Sequence, residues 1–295
     1  MNLTVRPLSP VLGAEVSGVD LTQTLDASVR SELNALFAQH AVLLFRQQPL
    51  TPKQFMQAAE IFGTLMPQQI TQFVLPDHPL VGYNSTHDLP RKDGKLKVRG
   101  ENFHTDHSNS LEPPKATALV AVNIPSRGGD TQFVDVRRAY DELPAALQQR
   151  IATLRSLHVH QSSHSPRSFA KLSAEQMAHI PHTAQPLVIR HPVSGRAALY
   201  LNTGRMEGIE GMRSEEGYAL IDALYRHATQ TRYEYRHAWQ VGDVVIWDNR
   251  SVMHQANADY DPEEFRYLYR VMLQGDRLQP ATTHVNSNAN VFSAP

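Results

Sequence analysis

Between residues 116 and 273 the chain is a succession of short runs rich in β-branched and aromatic residues: ATALVAVNI, TQFVDV, PLVIRH, ALYLN, TRYEYRHAW, DVVIWD and RYLYRVML. Turn-forming residues separate them. Many short strands with turn signals predict a mainly β chain, a sandwich or a barrel. Helices decorate it. SVRSELNALFAQH spaces Val29, Leu33, Leu36 and Phe37 at helical intervals, and the apolar strand AVLLFR, 41–46, follows. TPKQFMQAAEIFG opens with Thr51 as N-cap, Pro52 at the first helical position and Gln54 completing a capping box, and it stops at Gly63. SEEGYALIDALYRHATQ lines up Tyr218, Ile221, Tyr225 and Ala228 behind a Ser214 cap.

Composition narrows the function. The 295 residues are 41% hydrophobic and 19% charged, which suits a globular protein with a sizeable core. A net charge of −1 gives no global pull toward nucleic acid or an anionic membrane. No run is long and apolar enough to span a bilayer, and the opening MNLTVRPLSP has no signal-peptide core, so a cytoplasmic location is expected. With no cysteine, disulfides, thiolate metal sites and a cysteine nucleophile are excluded. Any metal must use imidazole and oxygen donors, which suit iron, zinc, manganese or copper.

Residues 66–103 show no long period and are rich in Pro, Gly, Asp and Lys. They are expected to form a covering loop, ending at NFHTDH. In an extended segment His104 and Asp106 project to one side, with Cα atoms roughly 6.6 Å apart, close enough to share one ion, while Thr105 faces away. Taken alone, the pair fits a polar loop as well. Downstream, VVIWDNRSVMHQANADY puts His254 beyond a strand and a turn-like DNRS. RYLYRVML then places Arg266, Leu268, Arg270 and Met272 on one strand face. Two arginines on an apolar face either snorkel to solvent or receive anions, roughly 13 Å apart along the strand. Two histidines and a carboxylate are the composition of the facial triad of non-haem iron(II) oxygenases. Such a triad leaves room for a bidentate 2-oxo acid and dioxygen, and a charged co-substrate would need an arginine at its far end.

The ordered set GAEVSGVDL, AVLLFRQQPLTPKQ, FHTDHS, PSRGGDTQFVDVRRAYDELP, IRHPVSGR, WQVGDVVIWDNRSVMHQANADY and RYLYRVML resembles the taurine dioxygenase/2,4-dichlorophenoxyacetate dioxygenase family over most of the chain. The resemblance implies a double-stranded β-helix (a cupin-like jelly roll) with helices outside, in one domain over 1–295. It implies Fe(II) on His104, Asp106 and His254, with 2-oxoglutarate and dioxygen as co-substrates. Thr131, in GGDT, and Arg266 would hold the distal carboxylate of 2-oxoglutarate. Arg270 would meet the anionic group of the prime substrate, and Trp247 would sit close to the iron. Taurine-cleaving members bring a histidine and a tyrosine to their substrate, where FGTLMPQQITQF here offers Gln68 and Thr71, so taurine is not the expected substrate. TQTRYEYRHAW and GGDTQFVDVRRAYDELP echo aryloxyacetate members.

The expected reaction is hydroxylation of a small anionic organic substrate, a carboxylate, sulfonate or sulfate ester, with succinate and carbon dioxide released. Where the hydroxylated carbon bears oxygen or sulfur, the C–O or C–S bond would break. His107 is a candidate for the substrate side or for an ordinary surface histidine. His158, His160 and His164 suggest a polar strand edge leading into a second covering loop at about 160–185, or a second metal site. A loose tail is expected from about 279. No nucleic-acid or membrane partner is expected, and a homo-oligomer is. The competing readings are a non-redox metal enzyme on a β-barrel and a non-catalytic small-anion-binding module.

Overall fold

The computed structural model describes residues 2–68, 71–92, 95–165 and 181–281. It is mainly β with flanking helices, as the strand-like runs predict. A large sheet runs in the order Thr4–Pro7, Ala14–Ser17, Val42–Phe45, Val244–Asp248, Ala116–Asn123, Tyr267–Leu273, His78–Ser85 and Val74–Leu75, with Leu65–Met66 also pairing to Tyr267–Leu273. A smaller sheet orders Glu234–His237, Thr131–Asp135 and Val252–Ala256.

Strand alternation sorts the side chains of the large sheet into two cores. On the outer face, Ala118, Val120, Ile246, Val271 and Leu273 pack against Val29, Leu33 and Phe37 of the helix Ala27–His40 and Phe55 and Ala58 of the helix Pro52–Ala59. The capping box at Thr51 and Gln54 forms as read. On the inner face, Leu119, Ala121, Val245, Trp247 and Leu268 meet Phe133 and Val252 of the smaller sheet. A third core sits under the helix Ser214–Ala228, whose buried residues are Gly217, Leu220, Ile221, Leu224 and Ala228. Burying each large side chain contributes about 1.5–3 kcal/mol.

Three expectations are corrected and one is extended. The 66–103 segment is not a loop throughout. His78–Ser85 is an eight-residue strand paired to Tyr267–Leu273, and Pro79 and Gly82 within it hide the strand signal. Ser214 does not cap its helix but is its first residue, and Arg213 stands at the N-cap with no side-chain cap bond. His254 lies beyond the strand Val244–Asp248 and its turn, as read, but inside a further strand, Val252–Ala256. His158 is not on a polar strand edge but fully buried. The core of the 160–185 region and the tail after 281 lie outside the described residues. Among the described residues no helix is long and apolar enough to cross a membrane.

Candidate metal centre and anion sites

The segment bearing His104 and Asp106 is docked directly on the strand bearing His254. The amide of His104 donates to the carbonyl of His254 at 3.0 Å, and the amide of His254 donates back at 2.9 Å. This reciprocal pair joins two distant parts of the chain and brings the rings to 4.3 Å between centroids. One donor atom each from His104, Asp106 and His254 falls within 4.8 Å of the others, a spacing one ion can bridge. Among the described residues this is the only such group. His104 Nε2 to Asp106 Oδ1 and His254 Nε2 to Asp106 Oδ2 are both 3.9 Å, too long for hydrogen bonds.

Protonation states favour a cation. His104 Nδ1 lies 2.8 Å from the Asn102 carbonyl, which can only accept, so Nδ1 carries a proton and Nε2 is the ring nitrogen turned toward Asp106. Burial, aided by His104, pulls His254 down to about 3, so its imidazole is neutral. Burial alone would raise the carboxyl of Asp106, but Arg270 and then the neighbouring histidines outweigh it and hold the group well below the ordinary carboxylate range. An ionised carboxylate beside the neutral imidazole of His254 is a charge state that suits a divalent ion. Gly100 makes room for the set: with φ at +77°, a Cβ there would lie 2.8 Å from His104 Cε1.

The two arginines stand where strand alternation puts them. Arg266, Leu268 and Arg270 share the face that turns to the inner core, since Leu268 belongs to that core and Tyr269, Val271 and Leu273 to the outer one. Arg266 is buried, and its Nε donates to the Gly129 carbonyl at 2.9 Å. Burial draws its guanidinium down to about 10. Gly129 has φ at +72°, and a Cβ there would press on Arg266 Cδ and Nε at 3.1 Å. Thr131 pairs with Ala256, and Phe133, two residues on, pairs with His254. Thr131, Phe133, His254 and Ala256 therefore share one face of the smaller sheet. The buried Thr131 hydroxyl accepts from Trp239 Nε1 at 3.0 Å, leaving its own proton to donate.

Arg270 makes a contact the sequence does not reveal: its Nη2 lies 3.0 Å from Asp106 Oδ1. Its Nη1 donates to Gln68 Oε1 at 3.3 Å, and Gln68 is buried and donates to the Leu80 carbonyl at 3.0 Å. Gln68 thus joins the site, whereas Thr71 is exposed on a short 3-10 turn. The Trp247 ring packs against His254 in a tilted arrangement, 4.6 Å between centroids. His107 lies beside Asp106 in a left-handed conformation, φ 44°. Its Nδ1 is buried without a hydrogen-bond partner, and burial first, then Arg270, holds it neutral, down to about 3. His158 Nδ1 bonds the hydroxyl of Ser108 at 2.8 Å, while its Nε2 has no partner. His164 points elsewhere, 3.2 Å from Asp222.

Sequence reasoning missed Thr117, Asn249 and Asn102. Thr117 carried a signal, as the one hydroxyl in the apolar run ATALVAV. Its side chain donates to Asp106 Oδ2 at 2.6 Å. Thr105, expected to face away, does so, but it is buried and donates to the Asn249 carbonyl at 2.7 Å.

The model of the taurine catabolism dioxygenase TauD, TfdA family matches residues 4–272. The alpha-ketoglutarate-dependent 2,4-dichlorophenoxyacetate dioxygenase of Cupriavidus pinatubonensis is 34% identical over 288 residues, covering 94% of this chain and 99% of its own. The alpha-ketoglutarate-dependent sulfate ester dioxygenase of Pseudomonas putida is 31% identical over 283 residues, covering 94% and 91%. Among solved structures, AAD-2 in complex with Mn(II) and N-oxalylglycine superposes with a TM-score of 0.81 at 30% identity, over 96% of this chain and 100% of that one. A taurine dioxygenase from Burkholderia xenovorans gives 0.78 at 32%, over 94% and 93%.

Proposed function

Because the chain belongs to the TauD/TfdA family of dioxygenases, we propose that His104, Asp106 and His254 are the protein ligands of its iron, that Thr131 and Arg266 hold 2-oxoglutarate, and that Arg270 with Gln68 receives the anionic group of the prime substrate. The enzyme is an Fe(II)- and 2-oxoglutarate-dependent dioxygenase acting on small anionic organic molecules. The observation that carries the assignment is the convergence of three donors, with Asp106 ionised and His254 neutral, beside the sheet face on which His254 and Thr131 lie together.

Bound to the triad, Fe(II) supplies the redox chemistry that couples oxidative decarboxylation of 2-oxoglutarate to hydroxylation of a C–H bond. One oxygen atom of O2 goes to succinate and the other to the product. The chain's own residues bind and orient. Arg266 presents a guanidinium in a buried setting, where its attraction for a carboxylate is least screened. Thr131 adds a hydroxyl donor pre-set by Trp239. Arg270 spends only part of its donor set on Asp106 and Gln68, leaving N–H groups for a substrate anion. A substrate held there has its adjacent carbon near the triad. If that carbon bears oxygen or sulfur, the hydroxylated product collapses with C–O or C–S cleavage.

The substrate class is a carboxylate, a sulfonate or a sulfate ester. Relatives acting on 2,4-dichlorophenoxyacetate, on sulfate esters and on sulfonates each cover more than nine-tenths of this chain; what favours the carboxylate and sulfate-ester side is that Gln68 rather than a histidine supports Arg270. We read the two facing sheets as a double-stranded β-helix forming one domain over 1–295, and we assign the protein to the cytoplasm and to a homo-oligomer. The test is to supply Fe(II), 2-oxoglutarate and air with a panel of aryloxyalkanoates, alkyl sulfates and alkyl sulfonates. Succinate release should rise with one of the first two groups, in step with hydroxylated or cleaved product. Efficient turnover of taurine would overturn the substrate assignment.

A further inference from the structure

We propose that Thr117, backed by Asn249 and Trp247, is the positioning group that locks the Asp106 carboxylate in the orientation the ion requires. The inference rests on reading His104, Asp106 and His254 as the metal site.

The three side chains form a buried relay. Thr117 is 0% exposed, Asn249 2% and Trp247 1%. Trp247 Nε1 donates to Asn249 Oδ1 at 3.1 Å. Asn249 Nδ2 donates to Thr117 Oγ1 at 3.0 Å. Thr117 Oγ1 donates to Asp106 Oδ2 at 2.6 Å. The chemistry fixes every direction. An indole N–H only donates, so the amide oxygen must face Trp247 and its NH2 must face Thr117. An amide NH2 also only donates, so the one hydroxyl proton of Thr117 is left to point at Asp106. The ionised carboxylate only accepts.

The relay has consequences at both ends. At one end it holds Oδ2 of Asp106, while Oδ1 faces Arg270. The anchor on Oδ2 is independent of whatever Arg270 binds, so the carboxylate keeps its rotamer when a substrate anion draws on the arginine. At the other end, the Trp247 ring packs tilted against His254. Asn249 also holds the ligand segment directly, because its backbone carbonyl accepts the Thr105 hydroxyl at 2.7 Å. The strand pairing sets all this up: Trp247 lies opposite Thr117 in the large sheet. Groups that orient a ligand in this way typically change metal affinity by about 10–100-fold when removed.

The experiment is a Mn(II) titration of the full-length protein without 2-oxoglutarate, reading free Mn(II) by electron paramagnetic resonance. Wild type, Asp106→Ala, Thr117→Val, Thr117→Ser and Trp247→Phe are compared, with thermal unfolding of each metal-free protein. Thr117→Val, which keeps the shape and loses the hydroxyl, should bind Mn(II) about tenfold more weakly. Thr117→Ser should stay within about twofold of wild type, the hydroxyl being the group that matters. Wild-type affinity in Thr117→Val, or equal losses in the Val and Ser variants, would overturn the relay. Should Thr117→Val not fold, Trp247→Phe serves. It keeps a ring against His254 but frees the Asn249 amide, and it should bind Mn(II) several-fold more weakly. Wild-type affinity there would equally overturn the relay. If instead Asp106→Ala binds Mn(II) as wild type does, the assignment of the metal site fails and not the relay alone.

Discussion

Arg270 Nη2 stands 3.0 Å from Asp106 Oδ1, so the residue proposed to receive the substrate's anion also touches a proposed iron ligand. Arg270→Ala should abolish substrate hydroxylation yet preserve slow, substrate-independent decarboxylation of 2-oxoglutarate, since Arg266 and Thr131 remain. Arg270→Lys should rescue poorly, because a point charge does not reproduce contacts to Asp106, Gln68 and an anion together. Separate assays of succinate and hydroxylated product distinguish the roles. Parallel loss of both signals would place Arg270 in co-substrate binding or in the fold.

Arg266→Ala should weaken 2-oxoglutarate binding by roughly 2–5 kcal/mol, the cost of losing a desolvated charge-assisted pair. Thr131→Ala should cost on the order of 1 kcal/mol, one hydrogen bond, and it also leaves Trp239 Nε1 without its acceptor. Titration with 2-oxoglutarate under nitrogen gives both values. Unchanged affinity in Arg266→Ala would put the co-substrate elsewhere.

Gly100→Ala should damage the metal centre from outside it. The new methyl would meet His104 Cε1 at 2.8 Å, on a backbone with φ at +77°. A loss of about 1–3 kcal/mol in stability is expected from strain, together with weaker Mn(II) binding as the His104 ring shifts. Thermal unfolding and a Mn(II) titration read the two effects. A variant with wild-type values in both would show that the ring has slack.

His158 carries a pH signature. Burial, with Arg205 adding to it, holds its imidazole at about 3, below the ordinary 6.5. The unfolded chain therefore takes up a proton first as pH falls. The stability is fully present above about pH 6.5 and is lost toward pH 3, at up to about 1.4 kcal/mol per pH unit for this one group. Urea unfolding at pH 6.5 and 5.5 should show a shallower pH dependence in His158→Gln than in wild type. Equal slopes would mean that His158 titrates normally in the folded protein.

What the sequence disclosed and what it hid have a common physical basis. His104 and Asp106 were legible because alternation along an extended segment is a local property. The shared face of Arg266 and Arg270 was legible for the same reason. His254 could be named but not placed in its strand, because the short SVMHQA after the turn-like DNRS has no strand signal of its own until Thr131–Asp135 pairs with it. Thr117 was passed over, its sole signal being a lone hydroxyl in an apolar run. Its role depends on the register that sets it opposite Trp247, and no local pattern encodes that register. The strand His78–Ser85 was masked by Pro79 and Gly82, and only pairing with Tyr267–Leu273 defines it. His158 read as exposed because alternation assigns a face without saying which face is covered. Here the Ser108 hydroxyl and the Tyr200 ring cover it.

The most direct measurement is succinate formed from 2-oxoglutarate in air, with and without Fe(II), in wild type beside Asp106→Ala. Wild type should give Fe(II)-dependent succinate that rises further with an accepted substrate. Asp106→Ala should give none above background while its far-UV circular dichroism matches wild type, because the carboxylate that completes the donor set is gone. Wild-type succinate yield from Asp106→Ala with Fe(II) would contradict the assignment of His104, Asp106 and His254 as the iron site.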